Sequence, residues 1–238
     1  MRSTSAAIAD SARLGGLLVG RAAGPSPLAA WVLLSLPLLA VVAACYGLLG
    51  SEDAVAAFFS AWRPGHPDAT YLVKLYTNWG NPALYLVYAG FLVHGLKQKR
   101  RGLTALALAY LAGQLLVSVA IERLFKISLG RPRPGVGGPF LPFSFDAAHH
   151  SLPSGHSVEI TLQTLPLALR DGLGRAQTLC LPIGLGLVAG LMGLSRIVLG
   201  AHHPSDVLAG WLVGSLGGLF ILWLAPRIAS RLPAHWSA

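Results

Sequence analysis

The sequence predicts an all-α polytopic membrane protein, a bundle of about six transmembrane helices. Three observations lead there. Apolar residues make up 54% of the 238 residues and charged residues only 11%, against roughly 25% in an ordinary soluble domain. So few charges cannot cover the surface of a soluble domain this long, whereas a bilayer removes the need. Second, the apolar residues fall into long runs separated by polar segments. Third, the net charge of +9 is gathered in short clusters between those runs, the pattern of a membrane protein. It does not form the basic stripe with interleaved aromatics that a nucleic-acid partner needs. Cys45 and Cys180 both lie in apolar runs and suggest neither a disulfide framework nor a zinc site.

A spanning helix needs about 20 mostly apolar residues. The first run, 29–50, follows a polar segment with Arg2, Arg13 and Arg21. It is too long for a signal-peptide core and is read as a retained span. The mixed segment 52–79 reads as interfacial, with a short amphipathic helix near 54–62 and Trp62, Tyr71, Tyr76 and Trp79 at the membrane surface. The second span is 82–96, with Asn81 as cap and Pro82 in the first turn. The third is 102–121. The fourth, 155–169, is short and carries Glu159, Gln163 and Pro166. An acid at that depth should face other helices or a wet cavity. The fifth and sixth are 178–195 and 205–225. Gly186 and Gly190, and Gly210, Gly214 and Gly218, recur four apart, a spacing that lets helices pack closely within the bundle.

Six spans put both termini on one side. That side holds Arg2, Arg13, Arg21, Lys97, Lys99, Arg100, Arg101, Arg170, Arg175, Arg227 and Arg231, eleven basic residues. The other holds six: Arg63, Lys74, Lys126, Arg131, Arg133 and Arg196. The positive-inside rule therefore puts the termini in the cytoplasm.

Four of the six outside cations belong to three clusters on that same predicted face. Lys126 to Pro134 follows the third span, Pro153-Ser154-Gly155-His156 opens the fourth, and Ser195-Arg196 to Asp206 joins the last two. Such a collection suits a phosphate. Arginine grips phosphate oxygens with paired N–H donors, and lysine adds a compact charge. Ser154-Gly155-His156 starts a helix, where free N–H groups and the dipole favour an anion. Asp206 lies four residues after His202, placed to accept one ring N–H and leave the other nitrogen aimed at phosphorus. His156 is then a proton donor for the leaving oxygen. The residues by themselves leave open which histidine attacks.

These three clusters resemble the signature of the type 2 phosphatidic acid phosphatase superfamily: Lys, six residues, Arg-Pro; Pro-Ser-Gly-His; Ser-Arg, five residues, His, three residues, Asp. Here they read Lys126…Arg133-Pro134, Pro153-Ser154-Gly155-His156 and Ser195-Arg196…His202…Asp206, every specified position in order. The resemblance implies that His202 is the nucleophile and forms a phosphohistidine, that Asp206 orients it, and that His156 is first acid, then base. It implies that Lys126, Arg133, Ser154, Gly155 and Arg196 bind the phosphoryl oxygens. Arg131, outside the motif, reads as a loop or supporting residue, and His149 and His150 as a solvated loop. His203 is expected to point away, and Glu159 to pack or to support His156.

Residues 1–28 are then a cytoplasmic segment, 29–226 a single integral membrane phosphatase domain and 227–238 a cytoplasmic tail. The expected location is the inner (plasma) membrane, with the site on its periplasmic or extracellular face. The expected partners are the bilayer and a lipid phosphate, such as undecaprenyl pyrophosphate, phosphatidylglycerol phosphate, phosphatidic acid or lipid A; the motif does not choose among them. No cofactor and no metal ion is expected, since the histidines have other duties and no carboxylate set for magnesium is present. Rival readings are a lipid phosphotransferase using the same intermediate, a vanadium haloperoxidase, disfavoured by the many spans, and a non-catalytic transporter. Oligomeric state is not set by the sequence.

Overall fold

Apolar runs punctuated by cap residues fold as helices, and the computed structural model, which describes residues 26–169 and 177–237, contains seven of them among those residues, besides a single 3-10 turn at Ala147–His149. Helix α1 is Pro27–Leu49, capped by the Ser26 side chain, with Pro27 in its first turn. Helix α2 is Glu52–Gly65, capped by Ser51, with Glu52 and Asp53 against the positive end of its dipole. It is the amphipathic helix expected near 54–62. Helix α3 is Pro67–Lys97 and α4 is Arg101–Leu129. Helix α5 is Gly155–Leu169, α6 Gln177–Val198 and α7 Pro204–Ala229. No strand is present among the described residues. Arg2, Arg13, Arg21, Arg170 and Arg175 lie outside them.

Helices α1, α4, α6 and α7 are long and apolar enough to cross a membrane, and the protein is a membrane protein. The other two expected spans are helical but differ in kind. Helix α5 has only 15 residues and is enclosed, with every residue from Ile160 to Ala168 buried. At 1.5 Å per residue it is roughly 22 Å long, less than a bilayer core of about 30 Å, so it sits inside a ring of longer helices.

The expected start of the second span is corrected. Asn81 and Pro82 lie in the middle of a continuous 31-residue helix, not at its beginning. The Asn81 amide donates to Glu159 at 2.6 Å, while its Oδ1, the atom a cap would use, has no partner among the described residues, because the backbone around it is already helical. The real start lies fifteen residues earlier, where Pro67 takes the first position after His66, whose side chain makes no capping bond. The third span is also longer than expected. Its helix continues through a widened π-helical stretch, Gln114–Ile121, to Leu129. Lys126 therefore stands on a helix rather than in a loop.

The spaced glycines make close helix contacts within the chain. Gly186 and Gly190 on α6 lie against Leu34 and Pro37 of α1, and Gly210, Gly214 and Gly218 on α7 lie against α5. A Cβ at Gly210 would stand 2.7 Å from the Ser154 carbonyl and 2.8 Å from the Ser157 Cβ. Gly210→Ala should therefore push α7 off the start of α5. The expected cost is about 1–3 kcal/mol, as for overpacking generally, read as a lower midpoint in detergent thermal unfolding. Turnover should fall with it, because Ser154 begins the segment that carries His156.

The chain alternates between two ends of the bundle. At one end Ser237 accepts a hydrogen bond from the Arg101 amide at 2.9 Å, which holds the C-terminal tail beside the basic 97–101 turn. At the other end the starts of α2, α5 and α7 meet the ends of α4 and α6.

Candidate active site

Helix ends, rather than helix bodies, supply most of the polar side chains at that second end. Lys126 stands one turn from the end of α4, paired with Glu122 at 2.5 Å. The helix stops at Gly130, which has φ of 60° and presses against the Leu141 carbonyl, so a side chain there would be both strained and blocked. The chain then turns back through Arg131 and Arg133. Gly155, at the start of α5, abuts the Glu122–Lys126 pair: a Cβ on it would lie 2.5 Å from Glu122 Oε1 and 3.5 Å from Lys126 Nζ. Only a glycine lets α5 begin this close to the lysine. Its start leaves the amides of Gly155 and His156 without helical acceptors.

Ser154 is fully buried. Its amide donates to the Asp206 carbonyl at 2.9 Å, while its hydroxyl accepts from Ser157 at 3.0 Å. The hydroxyl proton, not the amide, is what Ser154 can offer a ligand. Arg196 stands in the last turn of α6, where a cation complements the helix dipole. It donates to Thr77 Oγ1 at 3.0 Å, and its buried Nε has no partner among the described residues. Arg133 donates only to backbone carbonyls, those of Ala147, Ala201 and His150. Burial lowers its pKa, as it does for a cation removed from water, against an opposing pull from Asp206 and Glu122. Among the described residues neither guanidinium forms an ion pair.

His202 lies in the short turn between α6 and α7 and is 3% exposed. Its Nδ1 is 2.7 Å from the Ser151 carbonyl oxygen and 3.8 Å from Asp206 Oδ2. The orienting contact expected from Asp206 is thus made chiefly by Ser151. A carbonyl only accepts, so Nδ1 carries the proton and Nε2 keeps its lone pair. Asp206 acts one step back: its Oδ2 accepts the Ser151 hydroxyl at 2.6 Å and the His203 amide at 2.8 Å. The latter bond also caps α7. Asp206 Oδ1 accepts from Arg131 at 2.7 Å. His156 shares an electrostatic neighbourhood with Arg196, His202, Lys126 and Arg133, so both histidines and three of the expected phosphate-binding cations lie together.

Burial pushes the His202 pKa down to about 4, against a partial opposing pull from Asp206. The ring is therefore neutral above that value and charges only as pH falls through about 4, instead of 6.5. Imidazole ¹⁵N NMR of the protein in detergent should show an Nδ1–H tautomer at His202 that does not titrate between pH 8 and 5.5.

Several contributors were not visible as a motif. Arg131 is no idle loop residue: besides Asp206 it reaches Ser205 at 2.6 Å and pairs closely with Glu52. Glu52 also accepts from Tyr46 at 2.9 Å. Its pKa is lowered, because burial is outweighed by Ser205, Tyr46 and Arg131. His150, expected in a solvated loop, is buried, with Nε2 2.9 Å from the Ser144 carbonyl. Glu159 lies between Asn81 and Gln114, whose amides reach it at 2.6 and 2.5 Å. His203 reaches toward Glu52 at 4.0 Å, away from His156.

A family model described as the PAP2 superfamily matches residues 102–229, more than half of the chain. The chain belongs to the PAP2 superfamily. The matched segment of this PAP2 protein contains all eight expected site residues, while Glu52 and Thr77 lie before it. Among curated proteins the chain is similar to a lipid A 1-phosphatase of Rhizobium etli, 36% identical over 123 residues, covering 49% of this chain and 48% of that one. It is similar to a decaprenylphosphoryl-5-phosphoribose phosphatase of Mycobacterium tuberculosis, 33% identical over 126 residues, covering 52% and 62%. It is also similar to an undecaprenyl-diphosphatase of Sulfolobus acidocaldarius, 29% identical over 127 residues, covering 49% and 56%. The chain spans about half to two thirds of the length of these curated relatives. No solved structure matches it.

Proposed function

We propose that this PAP2 protein hydrolyses a phosphate or diphosphate group from a lipid at the bilayer surface, through a phosphohistidine at His202. The observation that carries the reading is the pair of part-buried guanidinium groups, Arg133 and Arg196, which share an electrostatic neighbourhood with His156 and His202 and have no carboxylate bonded to them among the described residues. Buried charge without a bonded counter-ion is costly, and Asp206 and Glu122 act on Arg133 only from a distance. A phosphoryl group supplies the missing anion. The three relatives described above are named as phosphatases or diphosphatases, which agrees with it.

The chemistry follows from the side chains. Nε2 of His202 attacks phosphorus as the bond to the leaving oxygen breaks. His156 gives that oxygen a proton. Lys126, Arg133 and Arg196 hold the equatorial oxygens, with the Ser154 hydroxyl and the amides of Gly155 and His156. A water then gives a proton to His156 and attacks phosphorus, the Nε2–P bond breaks, and inorganic phosphate leaves. These cations meet the developing charge, so the proposed cycle uses no divalent cation. Around this chemistry, 29–226 forms one domain of about six spans in the plasma membrane. The site lies on the outer face, because the basic 97–101 turn and the tail occupy the opposite end.

The test is phosphate release by the purified protein from a panel of lipid mono- and diphosphates, in buffer with excess chelator. Release with at least one lipid is expected, with vanadate as an inhibitor. Activity that chelator abolishes and magnesium restores contradicts the cation-only cycle. Transfer of label to an added lipid alcohol in preference to water identifies a phosphotransferase instead.

A further inference from the structure

A cavity of about 540 Å³ opens beside the proposed phosphate site, lined by Arg63, Thr70, Lys74, Thr77, Arg196 and Ala201 among others. Arg196 and Ala201 belong to both spaces, since Arg133 of the site donates to the Ala201 carbonyl. The cavity is not a continuation of the PAP2 motif. Arg63 comes from the end of α2 and Lys74 from α3, both before the matched segment.

Its chemistry is one-sided. Arg63 donates to the Val198 carbonyl at 2.9 Å, which fixes its guanidinium against the turn after Arg196. Lys74, Thr77 and Asn78 lie at i, i+3 and i+4 of one helix face. Thr77 holds Arg196 at 3.0 Å, so Lys74 stands one turn, roughly 5 Å, further out along the same wall. Neither Arg63 nor Lys74 forms an ion pair among the described residues, and no acidic residue lines the cavity. Three cations therefore share one space with no protein anion.

We infer that this cavity is a second phosphate subsite, which holds the phosphate directly linked to the scissile one in a lipid diphosphate. The inference rests on the proposed phosphatase reading and narrows its substrate class. One helical turn between Thr77 and Lys74 suits two joined phosphates, one against Arg196 and the next against Lys74 and Arg63. A phosphate at the far end of a sugar headgroup would lie beyond that reach. A monophosphate leaves Lys74 and Arg63 without an anion, and a site built for a charged group discriminates against a ligand that lacks it.

Two measurements test the subsite. The first is binding of inorganic pyrophosphate and of inorganic phosphate to the purified protein by calorimetry. Wild type should bind pyrophosphate more tightly, and Lys74→Gln and Arg63→Gln should each narrow that gap. The second is kcat/KM for farnesyl diphosphate and farnesyl phosphate. Lys74→Gln should lower the diphosphate value by about 10–100-fold, as expected for a lost charge-assisted hydrogen bond, and leave the monophosphate value unchanged. Lys74 is exposed, so the variant should fold. Equal affinity for the two inorganic anions in wild type, or equal losses on both lipids in Lys74→Gln, overturns the inference. Hydrolysis of the monophosphate without a diphosphate preference sinks the subsite alone. Pyrophosphate preference without turnover of either lipid keeps the subsite and sinks the phosphatase reading.

Discussion

His202→Ala should abolish turnover, while His156→Ala should leave a measurable remnant. The two histidines share a neighbourhood but differ in environment. His202 is held by the Ser151 carbonyl, which fixes its tautomer and leaves Nε2 unprotonated, as the proposed nucleophile must be. Without it no bond to phosphorus forms from the protein, and the expected loss exceeds about 10⁴-fold. In the proposed cycle His156 moves protons, and loss of an acid or base typically costs about 10²–10⁴-fold. Its variant should recover most on substrates with a good leaving group, which need no proton. Steady-state rates on a lipid diphosphate and a nitrophenyl phosphate separate the two roles. A His202→Ala protein as active as His156→Ala would exchange the assignments.

Arg131→Met should be the most destabilising single change at this end of the molecule, although Arg131 is no motif position. Its guanidinium lies between Asp206, whose side chain is fully buried, and Glu52, which is one quarter exposed. Removing it takes from both carboxylates the guanidinium they share. Breaking a buried pair in this way costs about 3–5 kcal/mol, or roughly 10 °C in unfolding midpoint for a chain of this size. Adding Glu52→Gln should return part of that loss, because the second carboxylate is then neutral; non-additivity is expected among groups in one network. The sign with pH is set by the depressed Glu52 value. The pairing contributes fully above about pH 4.5, the ordinary glutamate value, and is lost as pH falls through the lower folded value. Additive losses in the double variant would show that the three groups do not act together.

What could be read from the sequence followed from how densely each signal was encoded. The apolar runs gave α1, α6 and α7 to within a few residues, because long hydrophobic stretches leave few alternatives in lipid. The site clusters were legible because catalysis needs several rare residue types at fixed spacing. Pro82 misled because Asn-Pro marks a start only where the chain before it is not helical, and here the mixed segment from Pro67 runs into it as one helix. Glu52, Thr77 and Ser151 were not legible as site residues. Each is a single common polar residue, distant in sequence from what it touches, and only the packing of α2, α3 and the 130–153 loop brings it in. Ser151 changes the chemistry most, since it takes the contact that spacing had assigned to Asp206.

The central claim is a covalent intermediate on His202, and the most direct measurement is a rapid quench of the His156→Ala protein with radiolabelled lipid diphosphate, followed by peptide mapping. The account predicts label that is stable to alkali, labile to acid and located at His202, and none on a His156→Ala/His202→Ala protein. Label that persists in the double variant, or that maps to another residue, would contradict it.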